Sequence, residues 1–339
     1  MKKLALFLVA LLVVCCLAGS SHAFDPVELK MVTNYGTSHR ALAVAEHWAK
    51  RVEEETGGRV KTEIFPSEVL LKNQEFYPGM LDGVVDVVTQ DPSYNPEMFQ
   101  LMAAFNLPGI QMDNSKVATY VANDFYRSDF DELKRAKFLF AIGLAPSGIE
   151  SNVKIEKLED FKGLQIRANA FAAPPIAALG AAPVGLTAAE IYEALLKGTI
   201  DASCIPFDAL VNWNLAEVCK YAIIVPVITN TTHYCAMNIE RWNSFPDDIK
   251  AAIEKVNLEC IEMSAPLWDA MCDEGVQLSL EKGVEVYTLA DAEIAKIIQV
   301  LEPLQEIWVT EMNALGLPGR EALDKLKELA EKYNAQYGN

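Results

Sequence analysis

The sequence is poor in basic residues and in histidine, and it lacks every common catalytic signature. Lysine and arginine total 29 against 47 aspartate and glutamate, a formal charge of −18. So acidic a body repels phosphate backbones and anionic lipid, which excludes nucleic-acid binding, and self-repulsion favours a soluble monomer. No GxGxxG follows a strand-like run, and there is no phosphate-loop lysine motif, GxSxG elbow or HExxH. Acidic residues are scattered, and nothing in their order picks out a catalytic dyad. An α/β enzyme is kept only as the rival from a different class, with an interaction-only protein behind it.

Cysteine is scarce and badly spaced. Cys15 and Cys16 fall in the N-terminal apolar run, leaving Cys204, Cys219, Cys235, Cys260 and Cys272 with no CxxC among them. An odd number at wide spacing does not read as a disulfide framework, so most are expected to be small buried hydrophobes. His39, His47 and His233 show no zinc-ligand spacing with them, and no metal or cofactor is expected. Long apolar runs are missing too, apart from Leu4 to Ala18. That run follows Met1-Lys2-Lys3 and precedes Ser21-His22-Ala23, the pattern of a secretory signal peptide over 1–23 cut after Ala23. A retained anchor is the competing reading, but the run falls short of the roughly 20 residues a spanning helix needs. Val13-Val14 before Cys15 speaks against a lipid-attachment site. Without Lys2 and Lys3 the chain carries 27 basic and 47 acidic residues, a net of −20. An exported, periplasmic protein is expected.

What is present is enough for a large core. The chain has 339 residues, 51% hydrophobic and 22% charged, which excludes disorder and collagen-like repeats. From Phe24 onward, strand and helix patterns alternate. Residues 28–32 read as a strand, followed by the loop Asn34-Tyr35-Gly36-Thr37-Ser38. Leu42, Ala45, Ala49 and Val52 then fall at helical spacing before Gly57-Gly58. A strand at 60–65, a helix at 74–81 and a strand at 84–88 complete the first set. A second set holds a strand at 163–167, a helix through 176–179, a helix at 188–196 and a strand beginning near Ile200. Repeated βαβ units imply an α/β fold in two lobes, with ligands at the carboxyl ends of parallel strands. From Asp247 to Lys282, helix formers run for about 35 positions, on the order of 50 Å as one helix, enough to bridge both lobes. Pro266 should kink that run, and two shorter helices broken there fit equally well. Residues 321–333 read as a charged amphipathic helix.

Motifs in this order resemble one family over nearly all of the mature chain: the periplasmic solute receptors of tripartite ATP-independent periplasmic (TRAP) transporters. The strongest segment is Leu158-Glu159-Asp160-Phe161-Lys162-Gly163-Leu164-Gln165-Ile166-Arg167. It is similar to the family's "DxKGLKIR" strand, whose terminal arginine holds the ligand carboxylate. Leu179-Gly180-Ala181-Ala182-Pro183, Glu190-Ile191-Tyr192-Glu193-Ala194-Leu195, Gly198-Thr199-Ile200-Asp201 with Pro206, and Glu217-Val218-Cys219-Lys220-Tyr221 follow at the family's spacing. Thr56-Gly57-Gly58-Arg59-Val60 with Pro66, and Leu81-Asp82-Gly83-Val84-Val85-Asp86, match its first lobe. The resemblance implies a two-lobed periplasmic binding protein fold that closes by a hinge on an organic acid and delivers it to integral-membrane subunits. The layout it suggests is lobe I over 24–147 and 229–266, and lobe II over 148–228 and 267–339.

Arg167 is the expected anchor, because its planar fork can hold a carboxylate bidentately; read without the resemblance, it could as well be a surface arginine paired with a nearby glutamate. The resemblance also places Asn34, Gln90, Asp91, Asn169 and Phe171 at the cleft, although each could instead serve a turn, a cap or loop packing. His233 reads as a satisfied strand residue. Departures from the family pattern bear on the ligand. Ser147 stands where sugar-acid and dicarboxylate receptors often carry a second arginine, and Ile205 stands where they commonly carry asparagine before the proline. With Phe207 and Trp213 nearby, a polar wall has been exchanged for an apolar one. The expected ligand is a monocarboxylate with an apolar or aromatic body, such as an indole or phenyl acid; a C4-dicarboxylate or other small acid is the alternative.

Overall fold

The computed structural model describes residues 24–128, 130 and 132–338, so the leader expected over 1–23 lies outside the described residues. Along the chain the strands are β1 (Val27–Thr33), β2 (Val60–Phe65), β3 (Val87–Gln90), β4 (Ala136–Gly143), β5 (Gly148–Ser151), β6 (Gln165–Arg167), β7 (Ala182–Val184), β8 (Ala202–Ile205), β9 (Tyr221–Ile224), β10 (Thr232–Asn238) and β11 (Glu285–Thr288). They form two sheets, ordered β2-β1-β3-β10-β4 and β11-β9-β5-β8-β6-β7. In the first, β1 runs parallel to β2 and β3, and β10 lies antiparallel between β3 and β4. In the second, β6 runs parallel to β7 and β8. The carboxyl ends of β1, β3, β6 and β8 therefore all deliver their next residues to one crevice, as parallel strands do.

Local chemistry accounts for the elements around the crevice. Helix Leu42–Glu55 buries Leu42, Ala45, Trp48 and Val52 on one stripe. It stops where Gly57 and Gly58 take φ of +63° and +80°, a left-handed turn that glycine enters without steric cost. The third strand starts at Val87, later than the sequence pattern suggests. Val84 is exposed, and the Asp86 carboxylate folds back to accept the Lys30 amide at 2.9 Å and Arg241 Nε at 2.8 Å.

The long helical run is two helices, Asp247–Ser264 and Leu267–Glu281, broken at Ala265-Pro266. Proline lacks the N–H and its ring clashes one turn back, which ends the first helix there. Ser115 ties the break to the first lobe: its Oγ donates to the Ala265 carbonyl at 2.6 Å, and its amide donates to Asp269 at 2.9 Å. The second helix then crosses to the second lobe and lies against helix Ala209–Asn212. Gly275 permits that approach, since a Cβ there would stand 2.2 Å from the Phe207 carbonyl oxygen.

The chain also crosses between lobes at residues 144–147 and 225–231. These segments run side by side, with the Leu144 amide donating to Thr231 at 2.9 Å and the Ser147 amide to Thr229 at 3.3 Å. The layout inferred from the sequence needs correction at its C-terminal end. Helices Pro303–Ala314 and Gly319–Tyr337 return to the first lobe, where Trp308, Met312, Leu323, Leu326 and Leu329 join Phe76, Phe105 and Val121 in one core. Each such leucine contributes about 1.5–3 kcal/mol by burial. An amphipathic stripe shows that a helix packs but not on which lobe, so the pattern alone could not place it. Among the described residues no helix is long and apolar enough to cross a membrane.

Candidate functional site

Between the lobes lies a cavity of about 590 Å³, mouth included. Arg167, the last residue of β6, lines it and is only 5% exposed. Its Nε donates to the Leu186 carbonyl at 3.0 Å, which fixes the plane of the guanidinium. Among the described residues neither Nη has a hydrogen-bond partner and no carboxylate lies within ion-pair distance. A buried cation with its fork unspent is the receptor half of a bidentate carboxylate contact. Among the described residues no other lysine or arginine lines this cavity, and Ser147 is a buried member of its wall.

Asp91 follows β3 and is also buried. One oxygen accepts the Ser93 amide at 2.8 Å, and the other accepts Asn169 Nδ2 from the opposite lobe at 3.1 Å. The Asn169 Oδ1 accepts the Ala172 amide at 2.8 Å, so both ends of this amide are committed. Burial pushes the Asp91 carboxyl up, against the opposing pull of Ser93, Asn169 and Arg167. Asn34 closes this side. Its Oδ1 is buried and has no partner among the described residues.

The facing wall is aromatic. Tyr35 sits with its ring centroid 4.9 Å from His39, 5.3 Å from His233 and 6.0 Å from Trp268. Trp213 meets His39 edge-on at 5.7 Å. The Tyr35 hydroxyl bonds His233 Nδ1. Burial, with His39 adding to it, lowers His233 to about 3 and keeps its ring neutral. Burial also holds the Tyr35 phenol well above its usual range, so this hydrogen bond joins two neutral groups. The Trp268 Nε1–H is buried and has no partner among the described residues. Two further contacts join the lobes here: His39 Nε2 lies 3.5 Å from Asp208 Oδ2, and the Arg40 guanidinium pairs with Glu274.

The structure sorts the residues expected from sequence. Arg167, Asn34, Asp91, Asn169, Ile205 and Trp213 come together around the cavity. Gln90, Phe171 and Phe207 are corrections, because none lines it. Gln90 is fully buried and spends its amide on the Asn73 carbonyl and the Tyr234 hydroxyl. Phe171 packs against the first-lobe core, and Phe207 is buried in the second lobe with its ring over Gly148. His233 is a bonded strand residue, and it lines the cavity as well. Tyr35, His39, Tyr94, Asp208 and Trp268 were not singled out by sequence. Tyr35 and His39 could have been, from the loop that follows β1; Trp268, after the helix break, carried no signal.

This geometry has relatives. Residues 31–311 match the bacterial extracellular solute-binding proteins, family 7. A marine metagenome TRAP solute binding protein, specific for aromatic acid ligands and solved with 3-hydroxybenzoate, is 26% identical with a TM-score of 0.86. The match covers 91% of this chain and 99% of that one. A TRAP solute binding protein from Rhodoferax ferrireducens, solved with copurified benzoate, is 25% identical with a TM-score of 0.85 over the same shares. The C4-dicarboxylate-binding periplasmic protein of Rhodobacter capsulatus is 23% identical, over 80% of this chain and 83% of its own. Receptors of this family hold small organic acids for membrane subunits and do not transform them. With its two α/β lobes and its cleft arginine, the chain belongs to the family 7 extracellular solute-binding proteins, and it is a TRAP-type receptor for an organic acid.

Proposed function

We propose that the ligand is a monocarboxylic acid with an aromatic body, held by Arg167 at its carboxylate and by the Tyr35, Trp213 and Trp268 wall at its ring. The carrying observation is the pairing of one unspent guanidinium with an aromatic face in the same cavity. A second carboxylate would meet no second guanidinium and would bear a desolvation cost of several kcal/mol. A ring gains from buried area and about 0.5–1.5 kcal/mol from aromatic contacts. The neighbours solved with 3-hydroxybenzoate and benzoate support this reading. In the cell, the chain is read as an exported periplasmic monomer that passes its ligand to TRAP membrane subunits.

A C4-dicarboxylate is the second reading. The curated relative from Rhodobacter capsulatus favours it, as do the hydroxyls of Ser147, Thr229 and Thr231 in the wall. Calorimetry with benzoate, phenylacetate and an indole carboxylic acid against succinate decides between them. Tighter binding of succinate overturns the aromatic reading.

A further inference from the structure

A row of residues crosses the second sheet beneath the cleft. Strand register pairs Arg167 with Ser203, Ser203 with Glu150 and Glu150 with Ala222. Paired residues project from the same face, so the side chains of Arg167, Ser203 and Glu150 share one side. Glu150 lies two strands from Arg167, about 10 Å by strand spacing. It is fully buried, and among the described residues neither carboxyl oxygen meets a partner on another residue. Ser203, on the strand between, is fully buried and its Oγ is also unpartnered. Such a carboxyl caps no helix and closes no ion pair, and leaving it buried is costly.

The geometry points to Glu150 as a proton-taking counter-charge to Arg167, so that binding of a carboxylate in the cleft is coupled to protonation of Glu150. With the cleft empty, the guanidinium's field favours the Glu150 carboxylate. A ligand carboxylate on Arg167 cancels that field, and Glu150 takes one proton from solvent. The inference rests on Arg167 as the carboxylate anchor. Burial pushes the Glu150 carboxyl well up, Asp208 pushes the same way and Arg167 pulls it down. The other groups around it are the thiols of Cys204, Cys219 and Cys272, all raised by burial and neutral, so Asp208 and Arg167 are the charges that matter.

The sign follows from linkage. Ligand raises the pKa of Glu150, so affinity is highest below the ligand-free value and falls by up to tenfold per pH unit above it. Calorimetry from about pH 6 to 10, in buffers of different ionisation enthalpy, with benzoate, phenylacetate and succinate as probes, reads this directly. Proton uptake is expected in wild type, with a flat profile for Glu150→Gln; identical profiles overturn the coupling. A ligand-free arm titrates the carboxyl stretch of Glu150 by infrared spectroscopy, assigned through isotope-labelled glutamate, and it decides alone if Glu150→Gln does not fold. Arg167→Met should move the midpoint upward. A midpoint that does not move, or a wild-type carboxyl still protonated at pH 10, overturns the proposal. If the midpoint moves while none of the three acids binds, the Arg167–Glu150 interaction stands and the proposed ligand classes fail instead.

Discussion

An arginine held at 5% exposure, with one hydrogen bond to the Leu186 carbonyl, keeps most of its donors for something that is not protein. Replacing it with alanine should raise the Kd of the bound acid by about 30-fold to several thousand-fold, since removing one partner of a buried charge pair typically costs about 2–5 kcal/mol. Lysine should rescue poorly, because a point charge cannot reproduce the fork. Calorimetry checks both, and an Arg167→Ala protein binding within about threefold of wild type would show that the anchor lies elsewhere. His233 makes a different prediction. Its folded pKa, lowered to about 3, lies below that of the unfolded chain, so on acidification the unfolded state takes up the proton first. Stability attributable to this residue is therefore present above about pH 6.5 and is lost at about 1.4 kcal/mol per unit as pH falls toward 3. Urea melts of wild type and His233→Gln between about pH 4 and 7 should converge at the acid end. Curves that stay parallel would mean that His233 is not buried neutral.

At the scale of elements, helix Leu267–Glu281 depends on its glycine. The Phe207 carbonyl lies where a Cβ at Gly275 would go, and the obstacle is backbone and not a flexible side-chain end. Gly275→Ala should destabilise by about 1–3 kcal/mol through overpacking, despite alanine's better helix propensity, and chemical denaturation measures it. A gain in stability would show that the helix can slide away from the helix beneath it. The pairs around β3 show how far an element can be read from its letters. The resemblance put Gln90 and Asp91 together at the cleft, but adjacent residues of a strand face opposite sides. Only the assembled sheet decides that Gln90 points into the core and Asp91 toward the cleft.

Across the whole molecule, the lobes meet through Asn169 with Asp91, His39 with Asp208 and Arg40 with Glu274, contacts that span the cleft. The paired segments 144–147 and 225–231 connect the lobes, and hinge motion is expected there. Ligand should shift the population toward this closed form, seen as a smaller radius of gyration in solution scattering and as a saturable change in tryptophan fluorescence from Trp213 and Trp268. An unchanged radius at saturation would sink hinge closure. Glu274→Gln weakens one latch outside the cavity lining, so it should loosen the closed state and raise Kd while leaving the preference among acids as it was.

By itself the sequence determined what is local or compositional: the acidic body, the α/β alternation, the stop at Gly57-Gly58, an interruption, as kink or break, at Pro266 and, through the resemblance, the arginine ending a strand. Periodicity and dihedral preference act over a few residues, so they are written in order along the chain. Tertiary structure alone decided which distant side chains share the cavity. Tyr35 and His233 are 198 positions apart and bonded, Trp268 reaches the wall because a broken helix crosses between lobes, and helix Gly319–Tyr337 returns to the first lobe. An apolar stripe or an aromatic ring carries the same hydrophobic free energy against any partner, and which partner it meets depends on how the two sheets and their crossings are arranged in space.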